Sequence, residues 1–212
     1  GKGVSKKPDS RFENAAASFA LDLFRDEYKS GRKTLVSPLS VFTALAMTQN
    51  GAEDRTLSEM QKTLGGLDRD VLNAYMNAYL AELTGKDSAL KCANSLWIDS
   101  RLDVKTSFLQ KNADFYSAQA YKADFTRKNT VNEINSWVNK NTNGMIKKLV
   151  DEFDPLTVMV LMNALCLEAE WDDPYTDNCV REGTFKNAKG NLVKAEYMYS
   201  QETEYIETEN AT

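Results

Sequence analysis

Two carboxylates in alternate positions, Glu168 and Glu170, are the first residues that could carry chemistry. In an extended segment they point to the same side and stand about 7 Å apart. Paired carboxylates at such a separation can hydrolyse a glycosidic bond. The alternative is the end of a strand that emerges into solvent. We favour that alternative, because charged side chains are mostly exposed.

Ser37 and Ser40 are the candidate nucleophiles, but the chain contains no histidine. That absence removes Ser–His and Cys–His pairs and every histidine-based metal site. Ser37 directly precedes Pro38, and a hydroxyl followed by proline is typical of a helix N-terminus. We therefore interpret Ser37 as a helix cap. The residues support no enzyme, no cofactor and no metal site.

The composition fits a globular protein, with 42% hydrophobic and 27% charged residues. The net charge is −5 without a basic cluster, which argues against a nucleic-acid partner. No apolar run reaches the ~20 residues of a membrane span. Cys92 and Cys166 lie in apolar strand contexts and are interpreted as buried thiols. With Cys179 they make an odd number, which leaves the redox compartment open.

The segment from Leu156 to Trp171 is the most apolar in the chain as far as Leu167. It does not alternate, so it predicts a strand buried on both faces in the middle of a sheet. A buried helix is the alternative, because a short apolar run cannot be assigned by periodicity alone. Asn163 interrupts the run, and a buried amide must be hydrogen-bonded or costly. Asn163 therefore predicts polar partners elsewhere in the chain.

Helical periodicity and capping signals predict six helices around this strand. Their expected starts and apolar stripes are at Ser10 with Glu13, Ser37-Pro38, Thr56 with Glu59, Leu72–Leu83, Phe108–Tyr116 and Thr130 with Glu133. Further strands are predicted at Ala89–Asp99 and Gln119–Phe125, in a hairpin of Thr184–Asn187 with Leu192–Tyr197, and at the start of Tyr199–Thr212.

The order of these elements and several of their motifs resemble the serpin family. The motifs are N-A-A-A-S-F-A-L-D-L-F (14–24), V-S-P-L-S-V-F-T-A-L-A-M (36–47), A-N-S-L-W-I (93–98), I-N-S-W-V-N-K-N-T-N-G-M-I (134–146) and the segment 160–171, and the resemblance covers about 14–198. It implies an α+β fold in which a helical cap packs on a large mixed or antiparallel main sheet beside smaller sheets. The chain would supply the N-terminal helices and the first three main-sheet strands. Residues 1–212 would be the N-terminal portion of one serpin domain, with 1–9 as a flexible tail.

The resemblance implies a serine or cysteine protease inhibitor that acts as a suicide substrate and not as an enzyme. A protease attacks an exposed reactive loop, and the cleaved loop inserts as a strand into the main sheet of a metastable fold. The target protease is therefore an expected partner. The alternative is a non-inhibitory serpin with a carrier, chaperone or storage role. An extracellular location is expected, although cytoplasmic serpins exist.

By the same resemblance, Ser37, Ser40 and Asn163 form the shutter, a hydrogen-bonded switch beneath the main sheet. Trp171 marks the breach, where insertion begins. The alternative for the three polar residues is a static network that holds a helix start against the sheet. The chain departs from the usual aromatic pair, lysine and glycine before this tryptophan, because it has Cys-Leu-Glu-Ala at 166–169. That departure affects the expected ease of sheet opening and leaves the fold unaltered.

By the same resemblance, the reactive-site bond and its hinge are expected to lie beyond residues 1–212. Without the strands that follow in a serpin, Leu156–Leu167 would keep an unpaired edge and a bare apolar face, which is an aggregation hazard. We therefore predict a companion polypeptide, namely the C-terminal remainder of the same cleaved or truncated protein.

Overall fold

The computed structural model describes residues 4–29, 32–171 and 173–200, which form an α+β fold as predicted. The chain divides into two compact units, Gly1–Glu168 and Ala169–Thr212. The helices are α1 (Ser10–Glu27), α2 (Pro38–Thr48), α3 (Asp54–Thr63), α4 (Arg69–Leu83), α5 (Thr106–Tyr116) and α6 (Lys128–Asn141). The strands are β1 (Leu90–Asp99), β2 (Gln119–Ala123), β3 (Met159–Leu167), β4 (Val180–Lys186) and β5 (Leu192–Met198). Every helix in the described part is too short or too polar to span a bilayer.

The main sheet of the first unit is mixed and has the order β2-β1-β3. β2 runs parallel to β1, whereas β3 is antiparallel to it, with Leu90 opposite Leu167. The central strand of the described sheet is thus β1, and not the segment that the sequence placed in the middle. β3 has no second neighbour among the described residues, and its burial alternates instead of being continuous.

Helices cover both faces of this sheet. Leu96 and Ile98 of β1 pack with α1, α2, α4 and α5 in the larger core, whose most buried members are Tyr75, Met47 and Leu72. The intervening residue Trp97 belongs to a second core with α6. Successive side chains of a strand point to opposite faces, so β1 contributes to both cores.

α1 begins at the predicted Ser10, but of the four predicted capping residues only Ser37 is correct. Ser37 caps α2 by accepting from the backbone amide of Ser40, and Pro38 follows at the first helical position. The cap of α1 is Asp9, one residue before the predicted Ser10. α3 and α6 each begin two residues before the predicted Thr56 and Thr130. The hydroxyl of Thr130 donates to the carbonyl of Asp124 (2.7 Å), so it is engaged elsewhere.

Residues 4–9, which the sequence assigned to a flexible tail, lie along α4. The backbone amide of Lys6 donates to the carbonyl of Ala74 (3.1 Å), and its ammonium lies 5.0 Å from the ring centroid of Tyr75. The Tyr75 hydroxyl donates to Asp9 and accepts from Arg11. Arg11 and the Tyr75 hydroxyl hold the pKa of Asp9 well below its ordinary value. These contacts fasten the start of α1 to α4.

The second unit contains the predicted hairpin, which is longer than expected. β4 and β5 pair antiparallel from Val180 opposite Met198 to Lys186 opposite Leu192. Gly183 lies beneath the ring of Tyr197, where a Cβ would come within 2.8 Å of a ring carbon. The strand predicted at the start of 199–212 is not formed at residues 199–200, and 201–212 lie outside the described residues.

The turn after α3 supplies a stability test with a matched control. Gly65 and Gly66 both have positive φ, at +89° and +76°. A methyl group at Gly65 would lie 2.8 Å from Cα of Ala15 and closer still to its Cβ. A methyl group at Gly66 would have no atom within 4 Å. We expect Gly65→Ala to lower the free energy of unfolding by about 3 kcal/mol and Gly66→Ala by about 1 kcal/mol, because only the first adds overlap to backbone strain. Urea denaturation measures both; equal losses would contradict the close approach of α1.

A second test concerns Asp99, whose carboxylate is 2% exposed at the end of β1. Arg101 donates to it from its guanidinium and its backbone amide, which lowers the pKa of Asp99 from 3.8 to about 2. A carboxyl whose pKa is lowered by folding stabilises the protein above its ordinary pKa, and this contribution is lost as the pH falls. We therefore expect Asp99→Asn to be destabilised at pH 7 and to show a shallower loss of stability between pH 4 and pH 2 than the parent. Thermal melts across this range measure the difference, and identical slopes would contradict it.

Candidate functional site

A cavity of about 550 Å³ lies between the start of α2, the end of α6 and one face of β3. It brings together Ser37, Ser40 and Asn163, the three residues that the sequence assigned to the shutter. The remaining lining is mostly apolar and consists of Leu35, Val36, Val138, Thr142, Ile146, Leu149, Ala164, Leu165 and Leu167. The site is therefore an apolar cleft with a few polar groups.

The two serines bond to each other and to the helix. The Ser37 hydroxyl donates to the Ser40 hydroxyl (3.0 Å) and accepts from the Ser40 backbone amide (3.4 Å). Ser37 is exposed and Ser40 is half-buried. Neither hydroxyl bonds to Asn163, so the three residues share a cavity without forming one hydrogen-bonded cluster. The switch role that the resemblance assigned to them stays a prediction.

Asn163 finds its partners on β1. Its side-chain amide donates to Oδ1 of Asn94 (2.8 Å) and to Sγ of Cys92 (3.2 Å). Asn94 lies directly opposite it in the strand register. Burial raises the pKa of the Cys92 thiol, so its sulfur is a neutral acceptor. The oxygen of Asn163 is shielded from solvent and has no partner among the described residues.

A series of hydrogen bonds connects Asn94 to the helices. The Asn94 side-chain amide donates to the backbone carbonyl of Tyr116 (2.9 Å). The Tyr116 hydroxyl donates to Asn73 (2.7 Å), which exchanges hydrogen bonds with Asn50. Asn94 lies in the motif A-N-S-L-W-I (93–98), but no role was predicted for it from the sequence. The sequence signal for Asn94 is a second amide side chain on an otherwise apolar strand. This signal identifies Asn94 as the partner of Asn163 only when the strand register is known.

Trp171, the predicted breach residue, belongs to the second unit. The strand that was expected to reach it ends at Leu167, and residues 168–171 are exposed. The side chain of Trp171 is 67% exposed and meets the ring of Tyr175 edge-on at 5.7 Å. The charged side chains of Glu168 and Glu170 favour solvent over a sheet interior. This preference explains why β3 ends at Leu167 and does not extend to Trp171. The breach role of Trp171 stays a prediction.

The side chain of Glu168 lies at the surface and contacts two polar residues. Its carboxylate accepts from the side chain of Asn143, just beyond α6, and lies 3.7 Å from the ammonium of Lys91. Glu170 is exposed. These surroundings favour the solvent interpretation of the pair over a catalytic one.

Within the described ranges, no group of three or more acidic, cysteine or histidine side chains could hold a metal ion. The three cysteines are free thiols, with Cys166 buried and the other two half-buried. The Sγ of Cys166 lies 3.8 Å from the sulfur of Met145. None of the three is paired in a disulfide.

Helices on both faces of a mixed sheet and a mostly apolar cavity beside β3 define the class of this protein. It is an α+β domain built on a mixed main sheet. The serpin (serine protease inhibitor) family matches residues 14–212. The chain therefore belongs to the serpin family.

Relatives and solved structures agree with this assignment. An uncharacterised serpin-like protein of Thermococcus kodakarensis is 30% identical over 93% of this chain and 48% of its own length. The thermophilic serpin tengpin in its native state is 39% identical, with a TM-score of 0.88 over 99% of this chain and 55% of tengpin. Tengpin in its latent state is 40% identical, with a TM-score of 0.87 over 98% of this chain and 57% of tengpin. The chain thus spans about half the length of the relatives that it matches.

A further solved structure is human thyroxine-binding globulin complexed with thyroxine. It is 25% identical, with a TM-score of 0.77 over 90% of this chain and 54% of the globulin. The same half of the fold thus occurs in a protein that carries a small molecule.

The pairing of Asn163 with Asn94 can be tested by truncation. We expect Asn163→Ala to lower the free energy of unfolding by about 1–3 kcal/mol, because it leaves the buried Asn94 oxygen without its donor. Asn129→Ala is the control, since Asn129 is exposed and bonds only to the side chain of Glu133. Urea denaturation of both variants measures the difference. Equal small losses would contradict a buried amide pair.

Proposed function

We propose that the protein is a protease inhibitor of the suicide-substrate type and not an enzyme. The observation that carries this proposal is the match to the serpin (serine protease inhibitor) family over residues 14–212. Among the described residues β3 is hydrogen-bonded to β1 alone, so its other edge has backbone groups that an added strand can pair with. The apolar and half-buried side chains of β3 suit a strand that becomes internal after such an addition.

In the proposed mechanism a serine or cysteine protease attacks a reactive loop and becomes covalently attached as an acyl-enzyme. The cleaved loop then inserts beside β3 and carries the protease with it. The fold before insertion is metastable, and its lifetime is set by the barrier to insertion. The loop and the companion polypeptide that contains it belong to this proposal. The described residues and the comparisons supply neither.

The cavity beside β3 is the proposed switch. A strand that enters here must displace or engage the polar groups at Ser37, Ser40 and Asn163. The unpartnered oxygen of Asn163 supports this role, because it can gain a hydrogen bond when a new neighbour arrives. Trp171 is proposed as the site where insertion begins. An extracellular location is proposed as well, and three free thiols are compatible with either compartment.

The second candidate is a non-inhibitory serpin that acts as a carrier. The similarity to thyroxine-binding globulin favours it, because that globulin was solved in complex with a small molecule, thyroxine. The two candidates differ in the fate of the protease. A carrier is cleaved as an ordinary substrate or left intact, whereas an inhibitor stays attached.

The intact protein tests the proposal when it is incubated with a panel of serine and cysteine proteases. We expect at least one protease to lose activity and to form a complex that resists SDS, because the acyl bond is trapped before water can hydrolyse it. The control is the same protease with its nucleophile chemically blocked, which should form no such complex. Cleavage of the protein without a complex for every protease tested would contradict inhibition and favour the carrier.

A further inference from the structure

The sequence contains two Asn-Gly pairs, and the fold places them in different environments. Asn50-Gly51 lies just after α2, with Asn50 buried, whereas Asn143-Gly144 lies just after α6, with Asn143 exposed. An Asn-Gly pair is chemically labile, because the backbone nitrogen of the glycine can attack the side-chain carbonyl of the asparagine. Glycine has no side chain to hinder this attack. The surroundings of each pair therefore decide which of them can react.

Asn50 is held too firmly to react in the folded protein. Its side-chain nitrogen donates to Asn73 (3.4 Å) and Asn112 (3.1 Å), and its oxygen accepts from Asn73 (2.8 Å). The ring of Phe108 leaves only 3.1 Å to the place that a Cβ on Gly51 would take. To bring its carbonyl onto the nitrogen of Gly51, Asn50 must break these bonds inside a packed core. Folding therefore protects this pair.

Asn143 is restrained at the surface by a side-chain hydrogen bond. It donates to the carboxylate of Glu168, whose side chain is 46% exposed. Both members of the pair have positive φ, +48° at Asn143 and +83° at Gly144, as is common where a helix ends. The nitrogen of Gly144 donates to the carbonyl of Asn139 (2.8 Å), and this bond must also open before the attack. Both bonds lie at a helix end, where local opening is frequent.

We propose that Asn143-Gly144 is a site of spontaneous modification at which Asn143 becomes an acidic residue, and that Glu168 is a positioning residue that slows the conversion. The carboxylate of Glu168 holds the side-chain amide of Asn143 by its nitrogen. While that bond is made, the side chain cannot turn its Cγ towards the nitrogen of Gly144. The rate then depends on how often the bond to Glu168 opens.

The conversion needs only water and hydroxide. The backbone N–H of Gly144 gives its proton to hydroxide, and its nitrogen forms a bond to Cγ of Asn143. The bond between Cγ and Nδ2 breaks, and Nδ2 leaves as ammonia with a proton from water. Water then adds to one of the two carbonyls of the cyclic imide and opens the ring. Asn143 and water thus become aspartate or isoaspartate and ammonia, with no oxidation or reduction.

The product alters the contact that restrained the asparagine. An ionised aspartate has no N–H to donate, so two carboxylates replace the bonded pair of Asn143 and Glu168. The ammonium of Lys91, 3.7 Å from Glu168, offsets part of their repulsion. Isoaspartate also adds a methylene group to the main chain, which changes the left-handed turn. The modification therefore loosens the end of α6 from the end of β3.

The intact protein tests the proposal when it is incubated at pH 8, digested with trypsin and analysed by mass spectrometry. The two pairs fall in separate peptides, 141–147 and 34–55. We expect residue 143 to gain the mass difference between OH and NH₂ at least about tenfold faster than Asn50, because more hydrogen bonds hold Asn50. Peptide 141–147 should separate into aspartate and isoaspartate forms.

The chain unfolded in guanidinium chloride is the reference for this experiment, and there both pairs should react at similar rates. Equal rates at the two pairs in the folded protein would overturn the proposal. So would an unmodified Asn143 in the folded protein after a period in which the unfolded chain has reacted. None of these measurements involves a protease, so their outcome is independent of the proposed inhibition.

Two variants test the role of Glu168, which is exposed and should tolerate both changes. Glu168→Ala removes the acceptor, and we expect Asn143 to be converted about two- to tenfold faster, because one hydrogen bond fewer restrains it. Glu168→Gln keeps an acceptor oxygen and should return the rate towards that of the parent. Glu170→Ala is the control, since it removes an equal exposed charge and should leave the rate unchanged. An unchanged rate in Glu168→Ala, or equal acceleration in all three variants, would overturn the positioning role.

Discussion

The backbone of β1 imposes the main constraint on this structure. Every residue from Asn94 to Asp99 is buried, so its amides and carbonyls cannot rely on water. β2 satisfies one edge over Ser95–Asp99, and β3 satisfies the other over Leu90–Ile98. The two cores form on the faces that this pairing defines. Among the described residues β3 pairs with β1 alone.

The same pairing places amides where an apolar contact would be more stable. Asn94 and Asn163 satisfy each other only in part, since one oxygen of the pair has no donor. An unsatisfied buried acceptor lowers stability in the absence of a partner and raises it once one arrives. In the inhibitor that we propose, this asymmetry would favour the state in which a neighbouring strand supplies the missing donor.

Local chemistry explains which parts of the fold could be predicted from sequence. Ser37 followed by Pro38 marks a helix start whatever the tertiary context, and this start was placed correctly. The predicted start at Thr130 failed because its hydroxyl bonds to Asp124, a contact that depends on the turn before α6. The polar character of Asn163 was visible in sequence. Its partner was not, because strand register is set by packing across the whole sheet.

The register of β1 against β3 also has a consequence for how the chain is made. Asn94 and Asn163 are 69 residues apart in sequence. At the usual rate of ribosomal synthesis, β1 waits roughly 3 to 14 s for the strand that covers its second edge. Throughout that interval one edge of β1 in the nascent chain stays unpaired, even after β2 has covered the other. The helices α4 and α5, which flank β1 in sequence, can fold early and shield one face of it, but the edge has no local substitute. Before β3 emerges from the ribosome, the chain is therefore most prone to mispair with other nascent chains on the same mRNA.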